Sequence, residues 1–150
     1  MSREFSFLLA MGLAAGLVLL TVLIHYEFLR FLSDGVPRLK IPPRARILAV
    51  IFGAFIAHTI EVWVFALAYF WMSGSWGLGN FGGATTGHIF DYVYFSVVVY
   101  TTVGFGDIQP LEHMRLIAGV EALTGLLMIG WSASFTYLMM ERFWPEHRHR

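Results

Sequence analysis

Three apolar runs, Phe5–Ile24, Ile47–Met72 and Leu116–Met140, are each long enough to cross a bilayer, which takes about 20 such residues. No other feature constrains the fold as strongly. Backbone at membrane depth must satisfy its own hydrogen bonds, and a helix does so within one segment. A fourth run, Phe90–Thr101, has 12 residues and reaches only roughly 18 Å as a helix. It cannot cross alone. A short helix is tolerated at that depth where protein buries it or where it borders a wet cavity. The expectation is an all-α membrane protein with three transmembrane helices plus a re-entrant helix and loop.

Composition agrees with a membrane domain. Hydrophobic residues make up 57% and charged residues 13%, too apolar a balance for a soluble domain of this size. No separate ligand-binding or nucleotide-binding module is expected within these 150 residues. The formal net charge is zero, so nothing points to nucleic acid. Cysteine is absent, which excludes disulfides and thiolate metal sites. The first run lacks a strongly basic flank and a small-residue cleavage site after it. It therefore reads as a retained helix rather than a signal peptide.

Between the short run and the third spanning run lies Thr101-Thr102-Val103-Gly104-Phe105-Gly106-Asp107. Gly104 and Gly106 can adopt backbone conformations closed to other residues, so successive carbonyls can point one way. One such loop cannot enclose an ion. Four around an axis present stacked rings of carbonyl oxygens that replace the hydration shell of potassium. Val103 and Phe105 are expected to point away from the axis and wedge the loop against its scaffold. The Thr102 hydroxyl adds a further oxygen ring.

On these residues the chain resembles the potassium-selective pore-loop channels, closest to small bacterial members without a voltage sensor. The resemblance runs from Phe90 to Tyr137, about a third of the chain, and includes Pro110, Arg115 and Gly125. The family more often has Tyr at position 105; Phe keeps the wedge and lacks a phenolic hydrogen bond. The resemblance implies a homotetramer in a bacterial inner membrane that conducts K+ passively. No enzymatic activity and no cofactor are implied beyond K+ ions at Thr102, Val103, Gly104 and Phe105, with Gly106 completing the filter. It implies a ring of Asp107 carboxylates at the outer mouth that concentrates cations, and a gating hinge at Gly125. Some relatives carry a pore-helix carboxylate where this chain has Val98, so Tyr94, Tyr100 or Thr101 must brace Asp107 instead. The resulting division is an N-terminal transmembrane helix at 1–30, a basic cytoplasmic loop at 31–46, a pore domain at 47–140 and a cytoplasmic tail at 141–150.

Loop charge sets the expected orientation. Arg30, Arg38, Lys40, Arg44 and Arg46 face only Asp34, which marks that stretch as cytoplasmic. The uncharged stretch Ser73–Gly87 then lies outside, with the N-terminus outside and the C-terminus inside. The tail's Arg142, Arg148 and Arg150 against Glu141 and Glu146 lean the same way. Trp71 and Trp76 suit the outer interface, Tyr26 and Trp144 the inner one. The five cations are also candidates to bind anionic lipid. Without arginine between Phe5 and Ile24, steep voltage dependence is not expected.

Ionisable residues interrupt the apolar runs at His58, Glu61 and Glu121, where they are costly and usually face protein partners. His58 and Glu61 share one helical face and read as a hydrogen-bonded pair, with a pH-sensing role as the alternative. Glu121 falls at pore-helix height, about 8 Å below the outer end of its helix, and reads as a brace for that helix or a neighbouring subunit. Asp91 complements the positive pole of the short helix. Gly12 and Gly16 form a packing motif, and the small residues around Gly125 permit close helix approach. His147 and His149 read as solvated. Competing readings are a poorly selective cation channel, a membrane metalloenzyme built on His58, Glu61 and Glu121, and a non-conducting accessory subunit.

Overall fold

Prolines and glycines punctuate the chain. In the computed structural model, which describes residues 3–144, helix α1 covers Arg3–Gly35 and leads through a short 3-10 turn at Val36–Arg38. Pro42 and Pro43 then start α2, Pro43–Ser73, with proline in its first turn, where a missing N–H costs nothing. Gly74 ends it by donating its N–H to the Phe70 carbonyl at 3.1 Å. Helix α3 spans Ile89–Tyr100 and α4 spans Met114–Phe143. Pro145 in the sequence follows closely, and a residue before proline is biased away from helix.

The chain is mostly helical, and α1, α2 and α4 are long and apolar enough to cross a membrane. These three pack against one another, and α3 lodges against α2 and α4. Two apolar clusters mark opposite ends of the bundle. One joins Leu17, Phe65, Tyr69, Phe95 and Ile117; the other joins Leu29, Leu32, Val50, Met139 and Phe143. Helix α1 therefore runs antiparallel to α2, and α4 runs parallel to α1. Helix α3 starts in the first cluster through Tyr92 and Phe95, and its last residue, Tyr100, packs midway with Val62 and Met128. The chain then turns back, so that Ile108 rejoins the first cluster.

Two boundaries differ from the sequence expectation. The basic loop expected at 31–46 is shorter: α1 continues to Gly35 and α2 begins at Pro43, so that α2 carries Arg44 and Arg46. Apolar burial extends the helices, because Leu29, Leu32 and Val36 are covered by Val50, Met139 and Phe143. Charged side chains on those turns can snorkel outward. Nor is the chain wholly α. Strands β1, Phe81–Gly83, and β2, Ile108–Pro110, form an antiparallel ribbon with Gly82 opposite Gln109. Gly83 makes it fit, since a Cβ there would collide with the Asp107 carbonyl and its φ is +98°. The tail residues Glu146, His147, Arg148, His149 and Arg150 lie outside the described residues.

Candidate functional site

The glycine run grows directly from the end of α3. Thr102 takes a left-handed φ of 60°. Its N–H donates to the Val99 carbonyl at 2.9 Å, and the Val103 N–H donates to Val98 at 3.0 Å. This pair of bonds is a Schellman closure, with threonine where glycine is usual. Left-handed backbone costs a non-glycine residue about 1–2 kcal/mol, which the closure offsets. Gly104 at φ 60° and Gly106 at φ 80° continue the pattern, while Val103 and Phe105 stay outside the left-handed region. Backbone that alternates in hand keeps successive carbonyls on one side of the strand.

Every residue from Thr101 to Asp107 is exposed in the single chain. Val103 is 56% and Phe105 69% exposed. The scaffold against which they were expected to wedge is therefore not supplied by their own chain.

At the far end of the run, several contacts hold Asp107. Of the three residues left open by the missing carboxylate at Val98, Tyr94 is the one that reaches it, donating to Asp107 Oδ2 at 2.9 Å. Thr101 instead donates to the Val97 carbonyl, and Tyr100 to Glu61. The Ala84 N–H donates to the Asp107 carbonyl at 3.1 Å, tying the run to the ribbon. Asp91 Oδ2 accepts from the Thr86 N–H and hydroxyl, each at 2.7 Å, and so pins the preceding loop to the first turn of α3. These bonds hold its carboxyl below the usual carboxylate range, the Thr86 hydroxyl contributing most.

Behind the run lies a buried polar layer between the two apolar clusters. Glu61 is fully buried on α2. Its Oε1 lies 2.8 Å from His25 Nδ1 on α1, and its Oε2 accepts from the Tyr100 hydroxyl on α3. His58 Nδ1 lies 2.9 Å from that hydroxyl and 3.4 Å from Glu61 Oε2. His25 Nε2 lies 3.2 Å from Ser132 Oγ on α4. One cluster thus touches every helix. Glu121, also fully buried, stands apart from it. It accepts from the Tyr69 hydroxyl at 2.6 Å and from Ser96 on α3, whose hydroxyl also approaches the Val62 carbonyl at 2.9 Å.

The structure brings His58 and Glu61 together, separates Glu121 from them, and adds His25, Tyr100 and Ser132. The separation removes the three-residue metal set His58, Glu61, Glu121. His25 follows Ile24, the expected end of the first run; extending that helix by one turn would have placed an ionisable residue at membrane depth. Tyr69 and Ser96 carry no such signal, because polar groups of this kind are common in apolar helices.

Gly125 meets the backbone of Tyr100 so closely that a Cβ would collide with its carbonyl. Close packing thus accounts for this glycine where α4 crosses the end of α3. A cavity of about 650 Å³ runs between α2, α3 and α4, past His58, Tyr100 and Thr101 to Thr136 and Met140. Of the basic residues, Arg30 is 3.6 Å from Glu27, and Arg46 donates to the Leu39 carbonyl at 3.0 Å and stacks over Phe143.

A family model described as "Ion channel" matches residues 45–142, about two thirds of the chain. No curated protein and no solved structure matches it.

Proposed function

The chain belongs to this ion channel family, and from that premise we propose that it is a potassium-selective channel in which four copies join their glycine runs around one axis. The observation that carries the reading is the alternation of left-handed backbone at Thr102, Gly104 and Gly106. It supports a column of oxygens from Thr102, Val103, Gly104 and Phe105 that substitutes for water around K+. The exposure of Val103 and Phe105 in one chain supports an assembly, because neighbouring copies would cover them. Asp107, held by Tyr94, would ring the mouth and concentrate cations. Helix α3 serves as the re-entrant pore helix and α4 lines the inner cavity, with Gly125 fitted to the pore helix rather than free to bend.

In this arrangement the N-terminus faces outside and the turn between α1 and α2 faces the cytoplasm of a bacterial cell. Arg44 and Arg46 then sit at the positive pole of α2, an unfavourable place for cations. Anionic lipid headgroups at Arg30, Arg38, Lys40, Arg44 and Arg46 would relieve that repulsion.

Flux into liposomes that hold only the purified protein tests the reading. K+ should pass far faster than Na+, as a carbonyl filter requires. Equal rates would leave a poorly selective cation channel, and no flux an accessory subunit.

A further inference from the structure

The buried cluster of His25, His58, Glu61 and Tyr100 has the makings of more than a hydrogen-bond network. One donor atom each from His25, His58 and Glu61 lies within 4.8 Å of the others. His25 Nδ1 and His58 Nδ1 both face the Glu61 carboxylate, at 2.8 and 3.4 Å, and the Tyr100 oxygen lies 2.9 Å from His58 Nδ1. Donors of a tetrahedral zinc ion at about 2.0–2.1 Å from the metal stand roughly 3.3 Å apart. The separations at the two histidines bracket that spacing, and the Tyr100 and Glu61 oxygens, which share a hydrogen bond, would part to reach it. Two imidazoles with one carboxylate are a borderline-soft set suited to zinc and its neighbours rather than to K+ or Mg2+. From this geometry we propose that His25, His58 and Glu61, with Tyr100 as a fourth oxygen donor, bind one transition-metal ion of the Zn2+ class per chain.

Two further observations point the same way. Metal-binding histidines hold the second ring nitrogen with a hydrogen-bond partner, and His25 Nε2 has Ser132 Oγ at 3.2 Å. Ser132 is thus a positioning residue. A route in also exists: His58 is only part-buried and, with Tyr100 and Ser132, lines the 650 Å³ cavity. Binding displaces the protons shared between imidazole and carboxylate, so affinity falls as pH falls. The ion would fasten α1, which contributes His25, to α2 and the end of α3. Helix α1 lies outside residues 45–142, the part matched by the family model. The site thus couples this additional helix to the base of the glycine run, and it does not depend on what the channel conducts.

The test uses full-length protein in detergent, with His147→Ala and His149→Ala to remove the tail imidazoles, and Co2+ as a spectroscopic probe. One Co2+ per chain should bind with the visible bands of four-coordinate nitrogen and oxygen ligation, and one equivalent of Zn2+ should displace it. His25→Ala and His58→Ala should each abolish this spectrum, Ser132→Ala should weaken binding about tenfold, and His88→Ala should change nothing. X-ray absorption on the Zn2+-loaded protein with its cluster intact should count two imidazoles, a result independent of whether any cluster variant folds. Fewer than two imidazoles, or Co2+ bound at no more than background, overturns the proposal.

Discussion

Glu121 shows what a single buried carboxylate can do in an apolar bundle. It is wholly enclosed, yet its two oxygens collect the hydroxyls of Tyr69 on α2 and Ser96 on α3. Alanine at this position would strand the Tyr69 hydroxyl, while Ser96 keeps the Val62 carbonyl, and a buried group left without a partner costs about 1–3 kcal/mol. Glu121→Ala should lower the midpoint of thermal unfolding in detergent sharply, and Glu121→Gln, which still accepts, should lower it less. Equal midpoints for the two variants would mean that the acceptor is irrelevant. The depth of Glu121 was legible because helix rise is fixed at 1.5 Å per residue. Its partners were not, since counting along one helix says nothing of the rotation of its neighbours. His25 shows the converse: it stands just past the strongest apolar run, where composition ends the helix but the packing of Leu29 and Leu32 continues it.

At the scale of elements, α3 is held at both ends by bonds to loop backbone. Asp91 in its first turn reaches back to Thr86, and the amides of Thr102 and Val103 close its last turn. The Asp91 carboxyl titrates below 3.8 when folded. Its stabilisation is therefore complete above that value and is lost as pH falls through the lower folded one. A carbon-13 NMR titration of the assembled protein should place its midpoint under 3.8; a midpoint at or above that value would mean the Thr86 bonds do not form. Asp91→Ala, which removes the acceptor, should release the Thr86 amide to faster hydrogen exchange at neutral pH. The short length of α3 and the glycine run after it were plain in the sequence, as were the three long helices. The ribbon of β1 and β2 was not, for strands of three residues rich in glycine carry no periodicity, and only the close approach of Gly83 to Asp107 defines the pairing.

At the scale of the whole molecule, the proposed assembly is what would cover the faces that one chain leaves open. Large apolar side chains at Leu123, Leu126 and Leu127 on α4 stand open together with Val103 and Phe105, and lipid does not suit the exposed polar backbone of a glycine run. Chemical cross-linking of the purified protein should give a ladder that ends at four chains; an end at two or three would dismantle the proposed axis. The tie at the base of the glycine run also dictates the order in which it can fail. Its first amides are anchored to Val98 and Val99, whereas the Gly106 carbonyl takes one long bond from Gln109 at 3.4 Å. With Asp107 tied in turn to Tyr94 and Ala84, a collapse of the proposed filter would begin between the two ties, around Phe105 and Gly106.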